Sequence, residues 1–172
     1  MKNEISLHDK IPSFSLEATI LNTCSETDLL GHWTILFIYP KDNTSGCTRE
    51  AREFNERYSD FKSLGVEIFG LSKDTLASHI SFSKKLDLQF SLISDPQTQL
   101  IQDLSAWKEK SMYGKKYMGA ERSTFLFDKN LVTKHIWRKV KVDDHVNLSL
   151  IHISEPTRQA EISYAVFCMK KK

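Results

Sequence analysis

The apolar run Trp33–Tyr39, closed at once by Pro40, constrains the fold of this chain more than any other feature. Its length and its β-branched and aromatic content predict a buried strand. After several polar turn residues, the segment 48–64 repeats apolar residues every three or four positions, as an amphipathic helix does: Ala51, Phe54, Tyr58 and Phe61. The sequence therefore places Cys47 at the N-terminus of a helix, beside the end of a central strand.

The start of this helix favours a reactive thiol. Thr44 or Ser45 could cap it, and Glu50 lies in an early turn, where the helix dipole favours an acid. Backbone N–H groups at a helix N-terminus stabilise anions, and such sites lower thiol pKa values from about 8.5 to ~3.5–7.5. The thiolate is the nucleophilic form, so Cys47 could attack an electrophile. The alternative is a small buried hydrophobic side chain, which describes most free cysteines.

Two segments of the chain carry a family pattern. Pro40, Thr44 and Cys47 are spaced as P-x-x-x-T-x-x-C, and the segment 115–128 contains Arg122 at the start of a second predicted strand. Together they resemble the peroxiredoxins, specifically the bacterioferritin comigratory protein (Q-type) group, in which a strand carries the active-site arginine. The resemblance covers about residues 9–147, with the segments in the family's order.

The order of predicted elements indicates an α/β sheet with helices on both faces. We predict strands at 33–39, 66–72, 90–93, 123–127 and 132–137, an N-terminal hairpin at about 11–24, and helices at 48–64, 75–86, 95–107 and from 143 onward. The closing antiparallel pair fits a thioredoxin-like fold. The resemblance also implies this fold, with a central mixed sheet flanked by helices and an N-terminal β-hairpin.

The segment 108–117 mixes basic and aromatic residues, so it could contact nucleic acid or form a solvated loop. Residues 148–172 hold four basic and two acidic side chains, which accounts for the whole net charge of +2. The rest of the chain is neutral and offers no basic face. We therefore predict a loop at 108–117 and no nucleic-acid partner.

The length of 172 residues predicts one domain. We place a thioredoxin-like peroxiredoxin domain at residues 1–147. Residues 148–172 resemble a translated sequencing-library adapter, so we interpret them as a non-native tail; a genuine apolar extension is the alternative. On the first interpretation Cys168 has no evolved role, and the family's last helix ends after its first turn.

The resemblance implies a peroxidase in which Cys47 attacks a hydroperoxide and becomes a sulfenic acid. In this mechanism Arg122 stabilises the thiolate and the polarised peroxide, and Thr44 holds a substrate oxygen. Backbone N–H groups near Gly46 and Cys47 donate as well, and Pro40 shields the thiolate from water. Arg122 could instead form a surface ion pair.

Candidate partners for that ion pair are Glu50 and Glu121. Arginine suits either role, because its planar fork is always charged.

The resolving step departs from the family pattern. Many members carry a resolving cysteine five residues after the peroxidatic one, where this chain has Arg52, and the predicted helix 75–86 has none either. Cys24 lies in the predicted hairpin, and we interpret it as an inert thiol. We therefore predict a one-cysteine cycle in which thioredoxin, glutaredoxin or a small thiol reduces the sulfenic acid.

We predict no metal and no organic cofactor. The six histidines show no H-E-x-x-H or paired Cys/His spacing, and the three cysteines form no C-x-x-C. No segment approaches the length of a membrane span, and the start lacks a signal-peptide pattern, which predicts a cytoplasmic protein. We expect a monomer or a weak dimer.

Two other functions remain open. The chain could be a redox sensor or thiol relay that passes the oxidation of Cys47 to a partner protein. It could also be a non-catalytic binding domain with a buried, unreactive thiol. Turnover with a reductant separates the enzyme from the sensor, and the reactivity of Cys47 separates both from the binding domain.

Overall fold

The computed structural model describes residues 4–143 and 145–153. Its strands are β1 (Ser15–Ala18), β2 (Asn22–Ser25), β3 (Trp33–Ile38), β4 (Val66–Ser72), β5 (Ser91–Ser94), β6 (Trp107–Met112), β7 (Lys115–Ala120), β8 (Ser123–Phe127) and β9 (Thr133–Trp137). Its helices are α1 (Ser45–Glu56), α2 (Tyr58–Ser63), α3 (Leu76–Leu86), α4 (Gln99–Asp103) and α5 (145–153), with a short 3-10 helix at Glu26–Leu29.

Seven of these strands form one mixed sheet in the order β2-β1-β5-β4-β3-β8-β9. The central strands β3, β4 and β5 are parallel, so the chain between them crosses over through helices. The outer strands pair antiparallel, including the predicted N-terminal hairpin β1–β2. The mixed sheet flanked by helices confirms the predicted thioredoxin-like fold.

The core forms two clusters on opposite faces of the sheet, because successive residues of β3 point to opposite sides. Leu36 and Ile38 belong to one cluster with Cys24, whereas Ile35 and Phe37 belong to the other with Cys47. The second cluster also receives the apolar sides of α1, α2, α3 and α5. The two described cysteines therefore lie on opposite faces of the sheet.

Three predicted elements are wrong in extent or type. The single helix 48–64 is two helices, because Arg57 (φ −96°, ψ 7°) leaves helical geometry between α1 and α2. The helix 95–107 shrinks to α4, and Trp107 begins a strand instead. The loop predicted at 108–117 is the antiparallel hairpin β6–β7, a separate two-stranded sheet.

The helix α5 crosses the predicted boundary between residues 147 and 148. Val146 and Ile153 are buried in the second core cluster, and Leu150 packs against it. The interpretation of residues 148–172 as a non-native tail stays a prediction. Cys168 and the rest of 154–172 lie outside the described residues.

Within the part of the chain that is described, none of the helices combines the length and the apolar character needed to cross a bilayer.

Candidate active site

Cys47 is the third residue of α1, just beyond the loop that follows β3. Its side chain is 1% exposed. The first helical hydrogen bond near it runs from Thr48 N to Thr44 O at 2.8 Å. The N–H groups of the first turn come before this bond, so they make no hydrogen bond within the helix. The thiol therefore lies where the helix concentrates partial positive charge.

Arg122 reaches Cys47 because of the strand pairing. It directly precedes β8, whose first residue, Ser123, pairs with Ile38 at the end of β3. Since the two strands are antiparallel, the start of β8 and the end of β3 share one edge of the sheet. Nη2 of Arg122 donates to Sγ of Cys47 at 3.2 Å, and the Arg122 side chain is 16% exposed. The fold thus brings these two predicted site residues into direct contact.

Glu50 holds the other nitrogen of the same guanidinium. Nη1 of Arg122 donates to Oε1 of Glu50 at 3.0 Å, and the Glu50 side chain is fully buried. Glu50 follows Cys47 by three residues on α1, so the two share one side of the helix. The alternative role of Arg122, an ion pair, therefore coexists with the thiol contact; its partner is Glu50, and the pair is buried and not at the surface as predicted.

Burial makes the Glu50 carboxyl a weak acid. Desolvation raises its pKa to about 7, although the charge and hydrogen bond of Arg122 oppose that rise. Its Oε2 is buried and has no hydrogen-bond partner among the described residues. The sequence suggested Glu50 as a helix-dipole residue and as one of two candidate ion-pair partners of Arg122, but nothing local to α1 reveals that the carboxyl is buried.

Gly46 allows the guanidinium to approach the helix. A Cβ added there would lie 3.3 Å from Nη2 of Arg122, tighter than an ordinary contact, and 3.9 Å from Val142 Cγ2. A larger residue would therefore push the guanidinium away from the thiol.

Thr44 and Pro40 line the loop before α1. Thr44 occupies the N-cap position but makes no capping bond; its exposed hydroxyl donates to Lys41 O at 3.0 Å. Ser45 is the first helical residue, so the predicted side-chain cap is wrong for both residues. Pro40 is half-buried where β3 ends.

Asp42, Asp74 and His79 form a polar group that the sequence did not indicate. Their ligand-type atoms lie within 4.8 Å of one another, because folding brings α3 against the loop after β3. Each side chain already has a hydrogen-bond partner within the protein. Mutual pairing therefore explains this group without a metal ion.

A resolving thiol is absent near Cys47 within residues 4–143 and 145–153. Arg52 is exposed on α1, and α3 contains no cysteine. Cys24 is fully buried on the opposite face of the sheet, and burial, with a contribution from Asp28, raises its pKa to about 12. A disulfide between Cys24 and Cys47 would require at least one of the two thiols to leave its core cluster.

A comparison with protein families identifies this arrangement. The profile of the AhpC/TSA family matches residues 7–136. The chain belongs to the AhpC/TSA family. As a member of this family, the chain is a peroxiredoxin. Its similarity to individual relatives shows to which group of peroxiredoxins it belongs.

The relatives are bacterioferritin comigratory proteins. Peroxiredoxin Bcp of Bacillus subtilis is 41% identical over 142 residues, which are 83% of this chain and 90% of that protein. A structure of Xanthomonas campestris bacterioferritin comigratory protein, described for its alkyl peroxide reduction activity, has a TM-score of 0.80 and 36% identity, covering 84% of this chain and 92% of the other. A Cys→Ser mutant of Xylella fastidiosa PrxQ gives a TM-score of 0.84 at 31% identity, covering 90% and 98%.

These relatives place this peroxiredoxin in the bacterioferritin comigratory protein group, as the sequence motifs predicted. The predicted activity, thiol-dependent reduction of hydroperoxides, is confirmed for the chain as a family property.

Proposed function

We propose that Cys47 is the peroxidatic residue of this peroxidase and that Arg122 activates it. The observation that carries the proposal is the 3.2 Å contact of Arg122 Nη2 with Cys47 Sγ, made while Nη1 is held by Glu50. A guanidinium fixed in this way is preorganised for the thiolate and for charge that develops on a peroxide oxygen. The same guanidinium group therefore stabilises both the thiolate before the reaction and the charge that develops in the transition state.

The chemistry balances at one sulfur atom. The Cys47 thiolate forms an S–O bond to one oxygen of the hydroperoxide while the O–O bond breaks. The other oxygen leaves as an alkoxide or hydroxide, takes a proton, and is released as alcohol or water. Cys47 is oxidised to a sulfenic acid, and the peroxide is reduced.

Thr44, Gly46 and Pro40 complete the proposed site. The hydroxyl hydrogen of Thr44 points to Lys41 O, so its lone pairs are available to accept the proton of an incoming hydroperoxide. The N–H groups of Gly46 and Cys47 lie in the first turn of α1, where they can donate to the substrate. Pro40 has no N–H and limits water access beside the thiol.

The reductant is proposed to be an external thiol, supplied by thioredoxin, glutaredoxin or a small molecule. Its thiolate would attack the sulfenic acid and release water, and a second thiol would then resolve the mixed disulfide. The separation of Cys24 and Cys47 by the sheet supports this one-cysteine cycle. Both thiols are free, which suits a reducing cytoplasm. A monomer or weak dimer is part of the same proposal.

The test is mass spectrometry after about one equivalent of hydrogen peroxide, with a sulfenic-acid trap present. We expect a trapped adduct at Cys47, none in Cys47→Ser, and slower adduct formation in Arg122→Lys, which keeps the charge but loses the fork. The rate of steady-state peroxide turnover with a thioredoxin system should change among these variants in the same order as the rate of Cys47 oxidation. An unmodified Cys47 in folded protein would overturn the proposal.

Two other outcomes separate the alternatives. A Cys47–Cys24 disulfide would replace the one-cysteine cycle. Oxidation without turnover, with each of the three classes of reductant in turn, would favour the redox sensor.

A further inference from the structure

The loop between β3 and α1 is held by a buried polar network centred on Asp42. Asp42 lies in this loop, two residues before Thr44, and its side chain is buried. Between them, Asn43 adopts a left-handed conformation with φ of 63°, so the chain reverses direction there.

The carboxylate of Asp42 is saturated with donors. Oδ1 accepts from the Tyr39 hydroxyl at 2.6 Å, and Oδ2 accepts from the Ser78 hydroxyl at 2.8 Å. Oδ2 also lies 2.8 Å from Nδ1 of His79. The backbone N–H of Asp42 donates to Asp74 at 3.0 Å, so the main chain is fixed as well.

The hydrogen-bond partners of His79 determine its protonation. Nδ1 faces the Asp42 carboxylate, and Nε2 lies 3.1 Å from the carbonyl oxygen of Ile93 on β5. A carbonyl and an ionised carboxylate cannot donate, and the Ser72 hydroxyl, 3.5 Å from Nε2, donates to Asp74, so this geometry fits a proton on each ring nitrogen. The Tyr39 hydroxyl, 3.3 Å from Nδ1, already uses its hydrogen on Asp42. Both side chains are buried, so with a proton on each ring nitrogen the contact is an ion pair inside the protein.

The groups around this pair support an ionised Asp42. Burial alone would raise the pKa of Asp42, but hydrogen bonds from His79 and Tyr39 outweigh it and leave the pKa lowered. The other acid facing the cluster is Asp74, whose Oδ2 accepts from Ser72 at 2.6 Å. Burial raises the pKa of Tyr39 well above its ordinary value, so that group stays neutral.

We infer that His79 is a positioning residue for peroxide reduction: as an imidazolium it anchors Asp42, and through Asp42 the loop that presents Thr44 and Cys47. The inference rests on the proposed roles of those two residues. His79 touches neither substrate nor thiol. It acts by fixing the backbone between the end of β3 and the first turn of α1, and a displacement of about 1 Å there could slow the reaction by about 100-fold.

The kinetic test measures the second-order rate constant for Cys47 oxidation by hydrogen peroxide. We expect His79→Gln to lower it by about 10-fold or more, with an unchanged KM for the thiol reductant, because only the peroxide step uses the loop. The matched control is Leu86→Ala, which removes packing from the far end of the same helix, α3, against the second core cluster. It should keep the oxidation rate within about twofold.

Two variants distinguish the effect of the charges of Asp42 and His79 from the effect of their shapes. They are Asp42→Asn and the double variant that combines His79→Gln with Asp42→Asn. In His79→Gln the Asp42 carboxylate is left buried without its cation, so adding Asp42→Asn should restore part of the rate through a neutral amide pair. A direct readout is the nitrogen-15 spectrum of the His79 ring in the unmodified protein. We expect protons on both ring nitrogens at about pH 7, and on one only in Asp42→Asn.

Each outcome decides the inference. A singly protonated ring in the unmodified protein overturns the ion pair. Rates within about twofold of the unmodified protein in folded His79→Gln or Asp42→Asn overturn the positioning role. If His79→Gln does not fold, the nitrogen-15 spectrum of the His79 ring and the oxidation rate of Asp42→Asn test the inference instead. Failure of the unmodified protein to oxidise at Cys47 would instead refute the proposed function, so the two failures are distinguishable.

Discussion

Replacing Glu50 with glutamine should change the pH dependence of stability in a direction opposite to that of most carboxylates. The folded-state pKa of Glu50 is about 7, above its ordinary value of 4.5, because burial disfavours the charge. The folded state therefore binds a proton more tightly than the unfolded state. This group's contribution to the free energy of unfolding is fully present below about pH 4.5 and is lost as the pH rises to about 7.

The magnitude follows from the shift of pKa. A pKa of about 7 in place of 4.5 corresponds to about 3 kcal/mol in total, of which about 2–3 kcal/mol falls between pH 5 and pH 8. The titration of a second buried group, His145, offsets this loss of stability. Burial, with the nearby charge of Arg122, lowers the pKa of His145 to about 4 from 6.5, so its contribution rises by about 2 kcal/mol over the same interval. The unmodified protein should therefore show little net pH dependence from this pair.

The assay is urea unfolding followed by tryptophan fluorescence at about pH 5 and about pH 8, for the unmodified protein and for Glu50→Gln. The variant lacks the Glu50 titration and keeps that of His145, so its free energy of unfolding should rise by about 2 kcal/mol between the two pH values, where the unmodified protein should change little. Glu56→Gln, an exposed carboxylate on the same helix, is the control and should follow the unmodified protein. Identical pH dependence in Glu50→Gln and the unmodified protein would refute the assignment of a raised pKa to Glu50.

Three further changes test other parts of the structure. His145→Gln should give the mirror result, a free energy of unfolding that falls by about 2–3 kcal/mol from pH 5 to pH 8; no difference from the unmodified protein would contradict a buried neutral histidine. Gly46→Ala should slow Cys47 oxidation several-fold in stopped-flow measurements by displacing Arg122, while stability is kept or rises by up to about 1 kcal/mol; an unchanged rate would show that the guanidinium can move without cost. Cys24→Ala should leave peroxidase turnover within about twofold and cost about 1 kcal/mol of stability, whereas loss of turnover would make Cys24 a resolving thiol.

The sequence predicts the site as far as its residues are local. Cys47 follows from the strand–loop–helix pattern, and Pro40 and Thr44, in the same unit, follow from the resemblance to the family motif. Arg122 follows from the resemblance and not from its spacing, since only the pairing of β8 with β3 brings it to the thiol. The approach of His79 to Asp42 depends on where α3 packs, which no local pattern contains.

The hairpin β6–β7 was missed because it breaks the alternation of apolar and polar residues. Much of it is solvent-exposed, and charged residues occur on both of its faces, so hydrophobic periodicity could not reveal it. The usable signal was the pair Tyr113-Gly114, which forms the two-residue turn with φ of 52° and 77°. A turn with two positive φ values matches the twist of paired strands and favours glycine at its second position.

The loop and helix that carry Cys47 are thus held by two buried pairs, each made of an acid and a base. In each pair the acid lies on the loop or its helix, at Asp42 or Glu50, and the base comes from a distant element, at His79 or Arg122. Such pairs gain little stability over apolar packing, but losing one partner leaves an unpaired buried charge. Their benefit lies in geometry, because each base can satisfy its acid in only one arrangement of loop and sheet. A peroxide site that depends on the alignment of sulfur with an O–O bond needs that single arrangement more than it needs additional stability.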